Sequence, residues 1–474
     1  MEFHAWAPLF YFPRRYLKLT TCINNLHYEK FQDGTVKCIE DEIPFEVPEG
    51  WAWCRLNDIY NFIDYRGATP TKIINGIPLV TAKNVKSGYI DYTIDDYISE
   101  EEFKERQQRG ISKKGDILFT TEAPLGNAAL ADMEKFSAGQ RLITFQQYGS
   151  KNELINYVML MFILSDFFQQ QLYVNKTGST VAGIKATILK TLWIPVPPYN
   201  EQLRISNTLK SAINLIDSIS QNKEILSTSI SNTKSKILDL AIRGKIVPQD
   251  PNDEPASVLL ERIRAEKEEL IKQGKIKRDK KESVIFKGDD NSYYGIHLPD
   301  SWNWASLREI ALSISDGSHN PPPNNGSGIP LLSAANINDN SILMNEISRW
   351  ITNEEWKIEN QRTNIEVGDV LLTIVGSIGR SAVVQNNNHF ALQRSVAVIK
   401  PCLINPLYLM HIVQSPQIQK WLTDNSKGTA QKGIYLNALS LMIIPIPPLA
   451  EQARIVELIH IAYKQLDLIS NALL

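Results

Sequence analysis

The sequence predicts an α/β (α+β) chain. It has two tandem mixed α/β domains, separated by long antiparallel coiled-coil-like helices and related by an approximate two-fold axis. Three observations lead there. Four sequence blocks occur twice in the same order, each copy has the texture of short strands and loops, and each copy runs into a helical heptad pattern.

The duplication is read first, because an internal repeat constrains everything else. PEGWAWCRLNDI (48–59) returns as PDSWNWASLREI (299–310), and KGDILFTTEAPLGNAAL (114–130) returns as VGDVLLTIVGSIGRSAV (367–383). GIPLVTAKNV (76–85) returns as GIPLLSAANI (328–337) with six of ten positions identical. IPVPPYNEQLRI (194–205) returns as IPIPPLAEQARI (444–455) with eight of twelve identical. The offsets are 251, 253, 252 and 250 residues respectively, far too long for a solenoid repeat and steady enough to mean one duplicated domain.

Within each copy, runs of Val, Ile, Leu and Thr are broken by Gly, Pro and Asn. Asp116–Thr121 and Asp369–Val375 each follow a Gly-Asp turn and are predicted strands. Residues 157–172 and 406–422 are predicted as matching helices. Asp116 and Asp369 read as turn residues before a strand rather than as catalytic acids.

Each copy closes on prolines that hold the chain extended, Pro195, Pro197 and Pro198 in the first. A helix with a period of 3.5 residues follows. Its seam contains Ile205, Leu209, Ile216, Ile230 and Ile237, and the second copy restarts it in register with Ile455, Ile459 and Leu466. Neither narrow stripe can be buried alone, so the two helices are expected to pair antiparallel. The first runs from 201 to 243, ending at Gly244 and Pro248. The second pattern is shorter, about 24 residues after Glu451. A charged helix over about 254–275 and a basic run through Lys281 read as a linker. The expected divisions are an N-terminal extension (1–40), domain 1 (41–199), spacer helix and linker (200–282), domain 2 (283–449) and distal spacer helix (450–474).

Composition narrows the function classes. A chain of 474 residues with 43% hydrophobic and 22% charged residues has material for several cores. The net charge of −2 means that any nucleic-acid affinity must come from local patches. Cys22, Cys38, Cys54 and Cys402 form no CxxC pair, which points away from a zinc site or disulfide framework and toward a reducing cytoplasm. The N-terminal segment does not read as a signal peptide, and no apolar run is long enough for a membrane span.

Catalytic signatures are sparse. Asn320 with Pro321, Pro322 and Pro323 is similar to the Asn-Pro-Pro-aromatic motif of amino-methyltransferases, but the aromatic is replaced by Pro323, so a rigid proline loop is expected. No GxxxxGK[ST] phosphate loop is present. Binding signatures are richer, because loops in both copies carry side chains that reach phosphates and base edges. The first copy offers Arg66, Thr69, Lys72, Lys83, Asn84, Gln140, Arg141, Lys176, Ser179 and Lys185. The second offers His319, Asn320, Asn336, Arg380, Gln393, Arg394, Lys427 and Lys432. Arg141 and Arg394 stand out, since Gln-Arg occurs at the same place in both copies.

Two tandem copies, each opened by Trp-x-Trp and closed by Ile-Pro-x-Pro-Pro-x-x-Glu-Gln, resemble the DNA specificity subunits of type I restriction–modification systems. So do LAIRGKIVPQ (240–249), DGSHN (316–320) and KGTAQKG (427–433). The resemblance covers roughly residues 40 to 474. It implies that each copy is a target-recognition domain for one half of a bipartite double-stranded DNA site. The helices would fix the gap and dock two methyltransferase subunits, and motor–nuclease (restriction) subunits would join them. The chain itself would be a non-catalytic cytoplasmic DNA-binding subunit without cofactor or metal. S-adenosylmethionine, ATP and Mg would reside on the partners, and no membrane is involved. The alternatives are a non-catalytic helical scaffold, or a recognition module fused to a methyltransferase or nuclease activity.

Overall fold

The structure is a computed structural model, and it describes residues 28–31, 33–65, 69–93, 96–148, 154–178, 182–278, 292–428 and 432–473. The chain divides into two compact units, Met1–Ser218 and Ile219–Leu474.

In the first unit the two blocks that bracket the repeat meet. The Trp block forms strand Ala52–Arg55 and the Ile-Pro block forms strand Trp193–Val196, paired antiparallel with Trp193 opposite Arg55 and Pro195 opposite Trp53. Proline lacks the N–H a central strand needs, and this pair is a free-standing two-stranded sheet, where proline is tolerated. The main sheet is antiparallel, in the order Tyr60–Asp64, Leu142–Gln147, Ile117–Thr121, Leu125–Leu130. Strand Ile117–Thr121 is buried on both faces. Strand alternation sends Ile117 and Phe119 to a core with Val158, Ile163 and Phe168, while Leu118 faces Val80, Ala129 and Ala138. A smaller sheet pairs Ile77–Val80 antiparallel with Tyr97–Ile98 and parallel with Ser137–Ala138.

The second unit repeats this plan. Its main sheet has the order Ala311–Asp316, Val396–Pro401, Val370–Thr373, Ser381–Val383. Its small sheet has the order Trp350–Ile351, Ile329–Leu332, Ala391–Leu392, and Asn303–Ser306 pairs with Ile443–Ile446. The chain is therefore two tandem mixed α/β domains, as the repeat predicts.

Three expectations need correction. Each matching helix is two helices, Asn156–Leu164 with Asp166–Val174, and Pro406–Val413 with Pro416–Asp424. The break falls at Ser165 and Ser415, whose hydroxyls donate back to Phe162 O and Ile412 O, both at 2.6 Å. Serine offers the backbone this alternative to a continued helix, and Pro416 cannot continue one. The charged helix, Ala256–Lys272, is not free linker. Ala256, Leu259, Leu260 and Ile263 form a buried stripe in the core of the second unit. Residues 28–40, assigned above to an extension, fold onto the first unit. Glu29 is buried beside Arg55 at 3.1 Å, and Ile39 packs with Trp53 and Trp193.

The long helix spans Tyr199–Ile242, 44 residues, which is about 66 Å at ~1.5 Å per residue. It ends at Gly244, which has φ +64°. A Cβ there would stand 2.5 Å from Pro299 Cγ, so only glycine fits. The C-terminal helix spans Leu449–Asn471. It lies antiparallel to the second half of the long helix, with Lys234 bonded to Asp467 at 2.5 Å and to the Tyr463 hydroxyl through its carbonyl at 3.2 Å. Gln249 and Asp253, further along, meet Glu451 and Arg454.

The seam is buried where a helix meets a domain. Ile455 and Ile459 are fully buried, Ile230 and Ile237 pack inward, and Ile205 packs on the first core. Leu209 and Leu466 are half-buried. The expected continuous seam is interrupted. Ile216 is 60% exposed and Ile219 58%, and within the second unit the C-terminal helix covers the stripe from about Ile230 onward. His411 sits against Tyr463 of this helix, ring centroids 6.0 Å apart, and burial pushes its pKa down to about 4.

The closing Glu-Gln pair joins each domain to its helix. Gln202 and Gln452 are fully buried. Gln202 accepts from Ile155 N at 2.7 Å and donates to Pro197 O at 2.9 Å. Gln452 accepts from Asn405 N at 2.9 Å and donates to Pro447 O at 3.1 Å. Gln452→Ala strands two buried backbone groups and is expected to cost about 3 kcal/mol. By calorimetry on the full chain, the second unit's melting midpoint should fall by several degrees, whereas an unchanged midpoint would refute the clamp.

Candidate nucleic-acid interface

Each copy carries a polar cleft at the end of its main sheet. In the first copy, strand Ile117–Thr121 ends in a turn at Glu122 and Ala123. There it meets the loop Gln140–Arg141 that enters the next strand. Thr121 N and Oγ1 both bond Arg141 O, at 2.9 and 3.2 Å, and Arg141 is held at φ +66°. The side chain therefore projects beside the turn, where Nε lies 3.0 Å from Glu122 Oε1. Thr69, Lys72, Lys83, Gln140 and Arg141 together line a cleft of about 280 Å³. Gln140 Nε2 donates to Thr69 Oγ1, and Lys72 pairs with Asp96 at 2.7 Å. Lys83 is exposed, and among the described residues no carboxylate pairs with it.

The neighbouring loop adds two more cations. Thr177 and Gly183 exchange backbone bonds at 2.8 and 3.0 Å, and Gly183 bridges to Glu122. Lys176, with its ammonium 5.0 Å from the Tyr173 ring, and Lys185 are exposed on either side. Arg66 and Ser179 lie outside the described residues.

The second copy has a cleft beside Arg394, but Arg141 and Arg394 are not equivalent in the way the shared Gln-Arg pair suggests. Thr121 N bonds Arg141 O where Ile374 N bonds Ser395 O, so Arg394 takes the place of Gln140. Arg394 follows Gln393, and its N–H bonds Ser318 O at 2.9 Å. Val375 stands where the first copy has Glu122, at an offset of 253. His319, Arg362, Arg394 and Lys427 line about 540 Å³ above a buried Asp316. Lys427 is fixed through its backbone by Gly433, at 2.8 and 2.9 Å, and exposed Lys432 is anchored through its carbonyl to Gly376 N at 3.0 Å.

Not every sequence candidate joins these clefts. Asn84 and Asn336 are corrected from groove readers to structural residues. They are 2% and 3% exposed. Asn84 Oδ1 accepts from Thr81 N at 2.9 Å and its amide donates to Asp91 O at 2.9 Å. Asn336 does the same with Ser333 N at 3.0 Å and Glu346 O at 2.8 Å. Gln393 is half-buried with its N–H on Leu332 O, and Arg380 is exposed at the turn after Thr373. Neither lines the cleft, and exposed Asn320 does not line it either. The Asn320 proline loop is tied down by Arg349, whose Nη2 donates to Pro322 O at 2.7 Å. Asp116 and Asp369 are turn residues. Asp116 accepts from Lys113 N and Asp369 from Glu366 N, both at 2.8 Å, and burial raises both carboxyl pKas.

Arg362 was missed by sequence reasoning. It ends the helix Asn353–Thr363, which carries no Gly or Pro to flag a loop. A signal existed, because Gln108-Arg109 and Gln361-Arg362 are a second Gln-Arg pair repeated at an offset of 253. Among the described residues, no group of His, Cys, Asp and Glu is placed to hold a metal ion, and no helix is long and apolar enough to cross a membrane.

Comparison with known proteins matches this duplicated plan. The model of the type I restriction modification DNA specificity domain matches residues 48–227 and again 299–473. The type I restriction enzyme EcoBI specificity subunit of Escherichia coli is 23% identical over 452 residues, covering 93% of this chain and 85% of that protein. The EcoEI specificity subunit of Escherichia coli is 26% identical over 524 residues, covering 94% and 83%. The fold is shared with a chain from a solved structure described as the structural basis of complex assembly and conformational transition of the type I R-M system. That match has a TM-score of 0.56 and 18% identity, covering 91% of this chain and 94% of the other.

The exposed lysines generate a salt prediction. Lys83→Ala and Lys427→Ala should each weaken duplex binding and lower the slope of log affinity against log salt by about 1, read between about 50 and 200 mM. Fluorescence anisotropy with the purified protein checks this. Unchanged slopes in both variants would remove these residues from the interface.

Proposed function

The chain belongs to the type I restriction modification DNA specificity family as two tandem copies of its domain, and from that premise we propose how it selects a DNA site. Each copy reads one half of a bipartite, asymmetric sequence. The paired helices fix the unspecified gap and dock two methyltransferase subunits, and motor–nuclease subunits join that assembly. The chain is non-catalytic and acts in the cytoplasm. S-adenosylmethionine, ATP and Mg are bound by the partners.

One observation carries this account. Each copy has a polar cleft at the turn before its strand Leu142–Gln147 or Val396–Pro401, with Gln140 in one and Arg394 in the other, and the remaining lining residues differ in position as well as in kind. A shared frame explains why both copies approach DNA alike, and different side chains explain why the half-sites differ. Lysines on the rims supply sequence-independent attraction to phosphates, while arginine, glutamine and histidine offer directional donors and acceptors for base edges. The exposed apolar stripe of the long helix, with Ile216, Ile219 and Ile225, supports the docking role, since such a stripe is stable only when covered.

The test is a genome-wide map of methylated adenines in the host, with and without this gene and with the partner methyltransferase expressed. The expected outcome is loss of one motif made of two short defined parts at fixed separation. An unchanged set of motifs would contradict the proposal.

A further inference from the structure

We infer that Arg362 is a specificity-determining residue of the second copy, held by Asp316 as a positioning residue so that it reads a guanine in that copy's half-site. This rests on the recognition function proposed above and adds a named contact to it.

The argument starts from which guanidinium edge is used. Arg362 Nε donates to Asp316 O at 3.0 Å, and Nη2 donates to Asp316 Oδ1. These two groups form one side of the guanidinium fork. Among the described residues Nη1 has no protein partner, so the edge formed by Nη1 and the second Nη2 hydrogen remains for a ligand. Two parallel N–H donors match guanine O6 and N7. Arg362 is about half exposed, whereas its Asp316 anchor is only 9% exposed at the side chain. The anchor is therefore fixed while the reading edge faces the cleft.

The anchor has a second brace. His319 Nε2 lies 2.7 Å from Asp316 Oδ2 and 3.2 Å from Arg362 Nη2. With its proton on Nε2, the imidazole donates to the same carboxylate. Both side chains then converge on one acid, and the arginine loses much of its rotamer freedom before any DNA arrives. Such preorganisation favours a base contact over a diffuse phosphate contact.

In the first copy Arg109 and Asp64 are the counterparts of Arg362 and Asp316. The sheet register gives the second equivalence, because Asp64 pairs with Ile143 opposite Phe119 and Asp316 with Ala397 opposite Leu372, and Phe119 and Leu372 are offset by 253. Arg141, in that copy's cleft, lies beside Glu122.

The test maps adenine methylation by the reconstituted methyltransferase carrying wild-type chain, Arg362→Lys, Arg362→Ala, Asp316→Asn or Arg141→Ala. The wild-type motif is expected to hold a guanine that Arg362→Lys relaxes, raising methylation at sites with another base there by roughly 10- to 100-fold relative to wild type. Asp316→Asn should relax the same position more weakly, and Arg141→Ala should affect only the other half-site. If Arg362→Ala fails to accumulate, Arg362→Lys and Asp316→Asn still report on that position. A uniform loss of methylation with an unchanged motif would make Arg362 a phosphate or structural contact and overturn the inference. So would unchanged methylation in every Arg362 and Asp316 variant. Methylation by the wild type that follows no motif would instead overturn the recognition function itself, and this inference with it.

Discussion

The architecture depends on how each domain is closed. Chain entering at the Trp block must meet chain leaving at the Ile-Pro block, although about 140 residues separate them. The antiparallel pairs Ala52–Arg55 with Trp193–Val196, and Asn303–Ser306 with Ile443–Ile446, bring the two ends together. The prolines then oblige the chain to leave the sheet. The buried glutamine that follows spans the gap, one end on a domain backbone N–H and the other on a proline carbonyl of the departing strand. Everything between the ends becomes a closed insertion that can change without disturbing the start of the helix.

That closure explains why the clefts can differ. The two main sheets share strand order, and Gln169 and Gln419 make the same bonds to Gly126 O and Gly379 O, at 3.0 and 2.9 Å. The differences gather at the sheet ends. Glu122 corresponds to Val375, and Gln140 to Arg394. One exchange removes a carboxylate and the other brings in an arginine. Such exchanges therefore alter which donors are presented, while the hydrophobic layers beneath are kept.

Much of this was legible in sequence because repetition multiplies weak signals. One Pro-rich run or one Gly-Asp turn says little, whereas the same run at offsets of 250 to 253 fixes domains, strands and helix starts together. Burial was harder to read. Asn84 and Asn336 have the side chain of a base reader, and only the structure shows their amides spent on a tight turn. Ser165 and Ser415 break helices that hydropathy would have continued, because a hydroxyl competes locally for backbone carbonyls. Arg362 escaped for the opposite reason. It lies on a helix, while attention to loops favoured residues beside Gly and Pro. The exposed stretch of the heptad seam reflects a limit of pattern reading, since a stripe shows what needs a partner and not whether the same chain covers it.

The central claim is that each closed domain reads its half-site independently. The direct measurement is to exchange residues 307–442, between the paired strands of the second domain, for the corresponding segment of a relative with a different target, and to sequence the methylation motif of the hybrid complex. One half of the motif should change to the donor's, with the other half and the gap retained. If both halves changed, or neither did, recognition would not be divided between the two closed domains and the account would be wrong.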